Sequence, residues 1–342
     1  IIKDFCDIYN HAQKDLGESI SYKDFAVWEN KQTSNDKLTK IENYWLSKFD
    51  NKSIPVMDLP YDYPRPVIKS YRGNKISKQI PKYTFKKYED FAKSLGLSPY
   101  MYFVTAFLLV LYKYTNQSEL IIGTPTAGRD LEELQNVVGM FVNNIVLYNK
   151  IDENSTIANL LENVKKTLLD SLAYQPYPYD KLVKKLNLEK DMSRNPLFDV
   201  MFIYQNMPLD NLNLAGKHIK FIESKTHISK FDLSLEVIPS NHSINLEYCS
   251  DLFKLQTVKN FISHYLEALE NIYKNINQKV KDFSILTNSE EKYLLEDFNN
   301  TYLDYPQNET ISTLFEKQAQ LSPDSTALVF HDDSLTFDEL NK

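Results

Sequence analysis

Ser98 to Asp130 reads SPYMYFVTAFLLVLYKYTNQSELIIGTPTAGRD, and this stretch decides the fold. Ser98 is a good helix N-cap and Pro99 suits a first helical turn, where its missing N–H costs nothing. From Tyr100 to Tyr112 every residue but Thr105 is apolar or aromatic. A helix that is apolar all round must be buried on all sides. It is also too short to span a bilayer, which needs about 20 residues. Glu119 to Gly123 then forms a short apolar strand, followed by a glycine-bearing turn. A buried helix feeding a buried strand predicts helices packed on a sheet.

The flanking sequence extends the pattern. Tyr83 to Leu95 predicts an amphipathic helix closed by Gly96. Beyond the turn come a short acidic helix near Leu131 to Gln135, a strand from Met140 to Tyr148 and a long helix from Thr156 to Tyr174. Strand-like segments follow at Leu197 to Tyr204, Ile219 to Ile222, Phe231 to Val237 and Ile244 to Tyr248, then a helix from Leu255 to about Ile276. Upstream, Ile1 to Lys14 and Asp36 to Phe49 carry helical stripes, and Tyr71 to Ile80 alternates like a strand. Between them, three prolines in Leu59 to Pro66 dictate an extended connection. The class is α/β, a two-layer mixed-sheet sandwich. Residues 277–307 loosen into a charged, Asn-rich linker, and Thr310 onward restarts a helix-and-strand pattern.

The 342 residues hold 39 Lys+Arg and 46 Asp+Glu, a net charge of −7. That balance gives no electrostatic case for nucleic acid or an anionic membrane surface. Cys6 and Cys249 stand far apart without a C-x-x-C pattern, so neither a disulfide framework nor a zinc site is indicated, and a cytoplasmic setting fits. The chain opens Ile1-Ile2-Lys3 inside a helical pattern and without Met, which suggests a piece of a longer protein. Only Arg65, Arg72, Arg129 and Arg194 among the 39 basic residues are arginines. Each is therefore expected where a planar, multi-donor fork is needed.

Gly123 and Gly128 share the G-x-x-x-x-G spacing of a phosphate loop, but Arg129 and Asp130 stand where Lys and Ser or Thr should follow. A carboxylate there repels phosphate. The alternative is a tight strand-to-helix turn with Arg129 held in a buried ion pair. His11 and Asp15 have an H-x-x-x-D spacing that one helix face could bring together, but an ordinary surface helix with a solvated histidine is the preferred explanation. No G-x-S-x-G or H-E-x-x-H occurs, and no histidine has a companion at metal-ligand spacing. Tyr174 to Val183 makes a rigid aromatic corner, and Ser193-Arg194-Asn195-Pro196-Leu197-Phe198 puts an Arg and an Asn at the mouth of a strand. Those two could touch a ligand or cap the loop.

Taken in order, Tyr22-Lys23-Asp24-Phe25-Ala26-Val27-Trp28, Ile122 to Arg129, Val138-Gly139-Met140-Phe141-Val142-Asn143-Asn144, Tyr174 to Val183, Met192 to Phe202 and Lys230-Phe231-Asp232-Leu233 resemble the condensation domains of nonribosomal peptide synthetases. Leu335-Thr336-Phe337-Asp338-Glu339-Leu340 is similar to the first motif of an adenylation domain. The resemblance implies a fold of chloramphenicol acetyltransferase type: residues 1–70 the end of a first, partial lobe, 71–276 a complete second lobe, 277–307 the linker, and 308–342 the start of an adenylation domain. It also implies amide formation between thioesters carried on phosphopantetheine arms of upstream and downstream carrier domains, with no cofactor bound by this chain. Asn195 and Arg194 are then expected at the substrate tunnel. Gly123, Thr124, Gly128 and Arg129 are expected to shape its floor or brace the lobes.

The family's H-H-x-x-x-D-G is not in this sequence, so no catalytic residue is assigned and the chain alone is expected not to catalyse condensation. An epimerisation domain of the same superfamily and a noncatalytic carrier-docking module are the rival readings.

Overall fold

A computed structural model describes residues 2–10, 20–32, 36–49, 54–129, 131–205, 213–218 and 227–342. His11, Asp15, Asp130 and the strand expected at Ile219 to Ile222 lie outside them. The chain divides into two compact units, 1–287 and 288–342.

In the first unit the elements are α1 (Ile2–Asn10), α2 (Tyr22–Gln32), α3 (Asp36–Phe49), β1 (Gly73–Gln79), α4 (Lys82–Ser94), α5 (Pro99–Thr115), β2 (Glu119–Thr126), β3 (Asn143–Lys150), α6 (Ile157–Ala173), α7 (Tyr179–Leu186), β4 (Val200–Tyr204), the two-residue strands β5 (Asn213–Leu214) and β6 (Lys217–His218), β7 (Leu233–Ile238), β8 (Ser243–Cys249) and α8 (Leu255–Lys274). Six strands form one mixed sheet in the order β1-β8-β7-β4-β2-β3. β2, β4 and β7 run parallel at its centre, and the remaining pairings are antiparallel. The central strands are covered on both faces, which is why Val200-Met201-Phe202 is apolar without alternation.

Helix α5 is the keystone that its sequence predicts. The Ser98 side chain accepts from the Met101 N–H, and every residue from Met101 to Tyr112 is buried. It joins α4, α6 and α8 on one face of the sheet in a core with Phe202, Leu235, Val237 and Leu246. Each fully buried Phe or Leu there contributes about 1.5–3 kcal/mol. The other face carries a second core, in which Ile41, Trp45 and Phe49 of α3 and Leu182 of α7 meet Ile121, Val146, Phe198 and Met201. No single helix among the described residues is long and apolar enough to cross a membrane.

Several strand edges differ from the expectations, β2 running on to Thr126 and β7 starting at Leu233, and three of the differences have a local reason. β3 begins at Asn143 because Gly139 to Phe141 wrap against α2 instead of pairing. β4 begins at Val200 because Leu197 turns with φ +67°. β1 begins at Gly73 because Tyr71 is left-handed at φ +57°. Residues 277–287, which read as linker, include Val280 and Phe283 buried in the first unit's core.

The second unit holds α9 (Asn288–Lys292), continued by a π-type turn over Tyr293–Asp297, α10 (Ile311–Leu321), the hairpin β9 (Thr326–Phe330) and β10 (Asp333–Thr336), and α11 (Phe337–Leu340). Reciprocal Thr310/Thr313 and Thr336/Glu339 boxes start α10 and α11. Phe315 and Phe337 bring those two helices together, ring centroids 5.7 Å apart.

Candidate functional site

The six segments singled out in the sequence meet in two aromatic nodes joined by β2 and β3. In the first, the Tyr22 ring of α2 lies flat on Gly139, where any Cβ would run into it, and the Tyr22 hydroxyl donates to the Met140 carbonyl at 2.8 Å. Phe141 then packs against Tyr22 and Phe25, with centroids 5.1 and 4.7 Å away. Gly128 is left-handed at φ +62° and pressed against the Phe141 carbonyl, so only glycine fits. The Arg129 guanidinium sits 4.1 Å over the Phe141 ring and donates to the Leu134 carbonyl. This replaces the buried ion pair expected for Arg129: among the described residues its partners are a ring face and a carbonyl, for which the flat guanidinium suits better than an ammonium.

In the second node Gly123 lets the Phe198 ring lie directly on β2. Phe198 stacks on Phe231 and touches Tyr179, at 5.7 and 5.4 Å, and the Tyr179 hydroxyl donates to the Pro196 carbonyl. Thr124 accepts from the Tyr100 hydroxyl at 2.8 Å. Asn143 ties the nodes together, its amide donating to the Gln175 and Tyr177 carbonyls at 2.8 and 3.3 Å.

Beside the second node, at the N-terminal ends of β4 and β7, lies a charged knot. Arg194 pairs with Asp199 at 2.7 Å, and the Asn195 N–H donates to the other Asp199 oxygen at 3.0 Å. The Asn195 carboxamide donates to the Lys230 carbonyl at 2.9 Å. Arg65, from the proline-rich connection, forks onto Asp232 and donates to the Ser193 carbonyl at 3.1 Å. Tyr61 adds a 3.0 Å hydrogen bond to Asp232. Burial pushes the Asp232 carboxyl up, and the Arg65 fork opposes it. Burial and the Asp232 charge together push the Tyr61 phenol up to about 12. Asp191 is held below the carboxylate range by hydrogen bonds from the Ser193 hydroxyl and N–H.

The structure thus brings Arg194 and Asn195 together on Asp199, and gathers Gly123, Thr124, Gly128 and Arg129 along β2 and the turn after it. Arg65 and Asp232 went unrecognised as a site, because the proline segment reads as a mere connection. Two signals could have found them: the rarity of arginine, and a lone acid opening an apolar strand. Arg72 is forked too, on Asp251 at 2.8 and 3.0 Å, so Arg65 and Arg72 fit the expectation of a fork, whereas Arg129 makes one hydrogen bond beside its ring contact. His264 bonds Tyr114 at 2.7 Å and His227 bonds Asn74 at 2.8 Å, away from either node. Among the described residues no three His, Cys, Asp or Glu side chains group to hold a metal ion. The arrangement orients loops and offers polar atoms at a strand mouth.

The family model described as the condensation domain matches residues 1–295. The chain is 39% identical over 345 aligned positions to bacitracin synthase 3 of Bacillus licheniformis, an alignment covering 100% of this chain and 5% of that protein. It is 38% identical to tyrocidine synthase 2 of Brevibacillus parabrevis, with 100% and 10% covered. The chain therefore spans a small fraction of the curated relatives it matches. In fold it is similar to a holo four-domain nonribosomal peptide synthetase bound to AMP and glycine, at a TM-score of 0.83 and 22% identity over 99% of this chain and 27% of that one. The X-domain from teicoplanin biosynthesis aligns at a TM-score of 0.72 and 18% identity over 83% of this chain and 68% of that one. With its six segments drawn into one braced web and the family model running through all of them, this chain belongs to the condensation domain family.

Proposed function

We propose that the protein works in amide bond formation between aminoacyl or peptidyl thioesters held on the phosphopantetheine arms of upstream and downstream carrier domains. The acceptor amine nitrogen attacks the donor thioester carbonyl. A C–N bond forms, the C–S bond breaks, and the departing sulfur and the amine's proton leave as the free thiol. Such a reaction needs both arms held in line and water kept from the thioester. The observation that carries this reading is the convergence of six separated segments on two nodes and one charged knot, a rigid wall of the kind that positions flexible arms. Asn195 and Arg194 are its tunnel-side polar residues, and Gly123, Thr124, Gly128 and Arg129 its floor. We read residues 308–342 as the start of an adjoining adenylation domain and place the protein in the cytoplasm, acting on neither nucleic acid nor membrane.

Intact-mass analysis of the carriers after reaction with the full parent synthetase, rather than with these 342 residues alone, tests the reading. Donor acyl mass appearing on the acceptor carrier is the expected result. An epimerised, uncondensed aminoacyl carrier would move the assignment to epimerisation. One observation favours a second reading, in which the 342 residues alone hold carriers without turnover: the polar side chains of the charged knot bind one another, and bracing rather than proton transfer is their work.

A further inference from the structure

The six-stranded sheet ends in two edges of different character. β1 carries Lys75 and Lys78, the kind of charge that keeps an open strand from pairing with another chain. At the other edge, β3 and the segment leading into it hold no charged residue from Leu134 to Asn149. That segment, Val138-Gly139-Met140-Phe141-Val142, alternates as a strand does. Gly139 and Phe141 lie under Tyr22 and Phe25, while Val138, Met140 and Val142 leave 60, 73 and 54% of their surfaces exposed. Yet it is paired with no strand. β2 ends at Thr126 opposite Asn143, and among the described residues no N–H of 138–142 donates and only the Met140 carbonyl accepts, from Tyr22. The rings beneath hold this open backbone in place.

What answers such a surface is another stretch of peptide, which brings a donor and an acceptor at each residue and a side chain on one face at every second. A second copy of this chain is the poorer occupant. A strand the length of 138–142 reaches about 17 Å, whereas a stable protein interface buries about 1,200–2,000 Å². Phe141 also carries the Arg129 guanidinium on its ring and Gly128 against its carbonyl, so the segment continues the residues read above as floor.

We infer that 138–142 seats the growing peptide of a peptidyl donor, which adds to it as a short β-strand with apolar side chains beside Val138, Met140 and Val142. This seat rests on the function proposed above and narrows its substrate: the donor is a peptide long enough to pair, not a single aminoacyl group. No covalent bond is made or broken there.

The test titrates the 342-residue chain with the neutral capped peptide acetyl-Val-Thr-Leu-Thr-Val-methylamide, following the amide resonances and hydrogen exchange of 138–142 by NMR. Two N-methylated forms accompany it, one blocked at the valine and leucine nitrogens and the other at the threonine nitrogens. Successive N–H groups of a strand point to opposite edges, so only one form keeps its donors towards the protein. Losing one hydrogen bond weakens binding roughly 5–10-fold. One methylated form should bind at least that much more weakly than the other, and exchange should slow within 138–142. Met140→Lys, which sets a charge on the edge and touches no buried contact, should weaken the unmethylated peptide about fivefold or more at an unchanged melting temperature. Equal loss in the two methylated forms, no saturable binding, or protection confined to other segments overturns the proposal. So does self-association of the chain that Met140→Lys abolishes, which would make a second copy the occupant. Amide formation by the parent synthetase without the methylation asymmetry would refute this seat and spare the function. The asymmetry without amide formation would do the reverse.

Discussion

Removing the Asp199 carboxylate should unfasten the loop at the mouth of β4. Its side chain is 6% exposed and its partner Arg194 20% exposed. In Asp199→Ala the guanidinium keeps only the Met57 carbonyl at 3.5 Å and the largely exposed Asp191 at 3.8 Å. Breaking a buried pair from one side costs about 3–5 kcal/mol, and the residual partners place this case near ~3. The Asn195 N–H is orphaned in addition, which costs about 1 kcal/mol. Leu197, left-handed at φ +67°, loses the contacts that over-determine it. The total is ~4 kcal/mol for alanine and ~2 for Asp199→Asn, whose amide oxygen can still serve one donor. Urea unfolding followed by fluorescence reads it, since Trp45 is buried against this core. A loss under ~1 kcal/mol in the alanine variant, at unchanged m, would refute the argument that the knot holds this loop.

Other substitutions probe the remaining contacts. Gly123→Ala drives a methyl into the Phe198 ring and should cost about 1–3 kcal/mol, largely recovered in a Gly123→Ala/Phe198→Leu double variant, as a double-mutant cycle would record. Arg129→Lys keeps the charge but loses the flat contact on Phe141, so faster hydrogen exchange over 128–141 is expected, together with a loss of about 0.5–2 kcal/mol. Ser98→Ala removes the cap of α5 and should cost about 1 kcal/mol in the same unfolding assay. Acid should destabilise through Glu42 and Glu270. Hydrogen bonds from Lys185 and Tyr177 hold Glu42 below its ordinary 4.5, and those from Lys87 and Tyr88 hold Glu270 below it against the opposing effect of burial. A depressed folded value adds stability that is complete above the unfolded value and is lost as pH falls through the folded one. The melting temperature should therefore drop below about pH 4.5. The Glu42→Gln/Glu270→Gln variant should show a shallower drop than wild type, a difference that also removes the contrary contribution of Asp232.

The fold was readable wherever local chemistry and burial agree. Ser98-Pro99, the apolar run behind them and Gly96 at φ +68° all specify α5 and its approach, and the structure follows them closely. Readings failed where a residue answers to something distant in sequence. Met140 is strand-like by composition, but the Tyr22 hydroxyl holds its carbonyl from 118 positions away. Arg129 looked as if it needed an acid and found a ring. Leu197 looked extended and is turned back by its neighbours' hold on Asp199 and by Tyr179. The knot of Arg65 with Asp232 spans 167 positions, and no periodicity carries that information. What spacing did disclose was order: six short segments, each weak alone, whose succession points to one family.

On the proposed function, this protein handles acyl groups on pantetheine arms. Isothermal titration of the chain with the same carrier domain in holo and apo forms tests it most directly. The account requires the holo form, bearing the arm, to bind at least about tenfold more tightly, a difference of about 1.4 kcal/mol. Equal affinity for the two forms would contradict it.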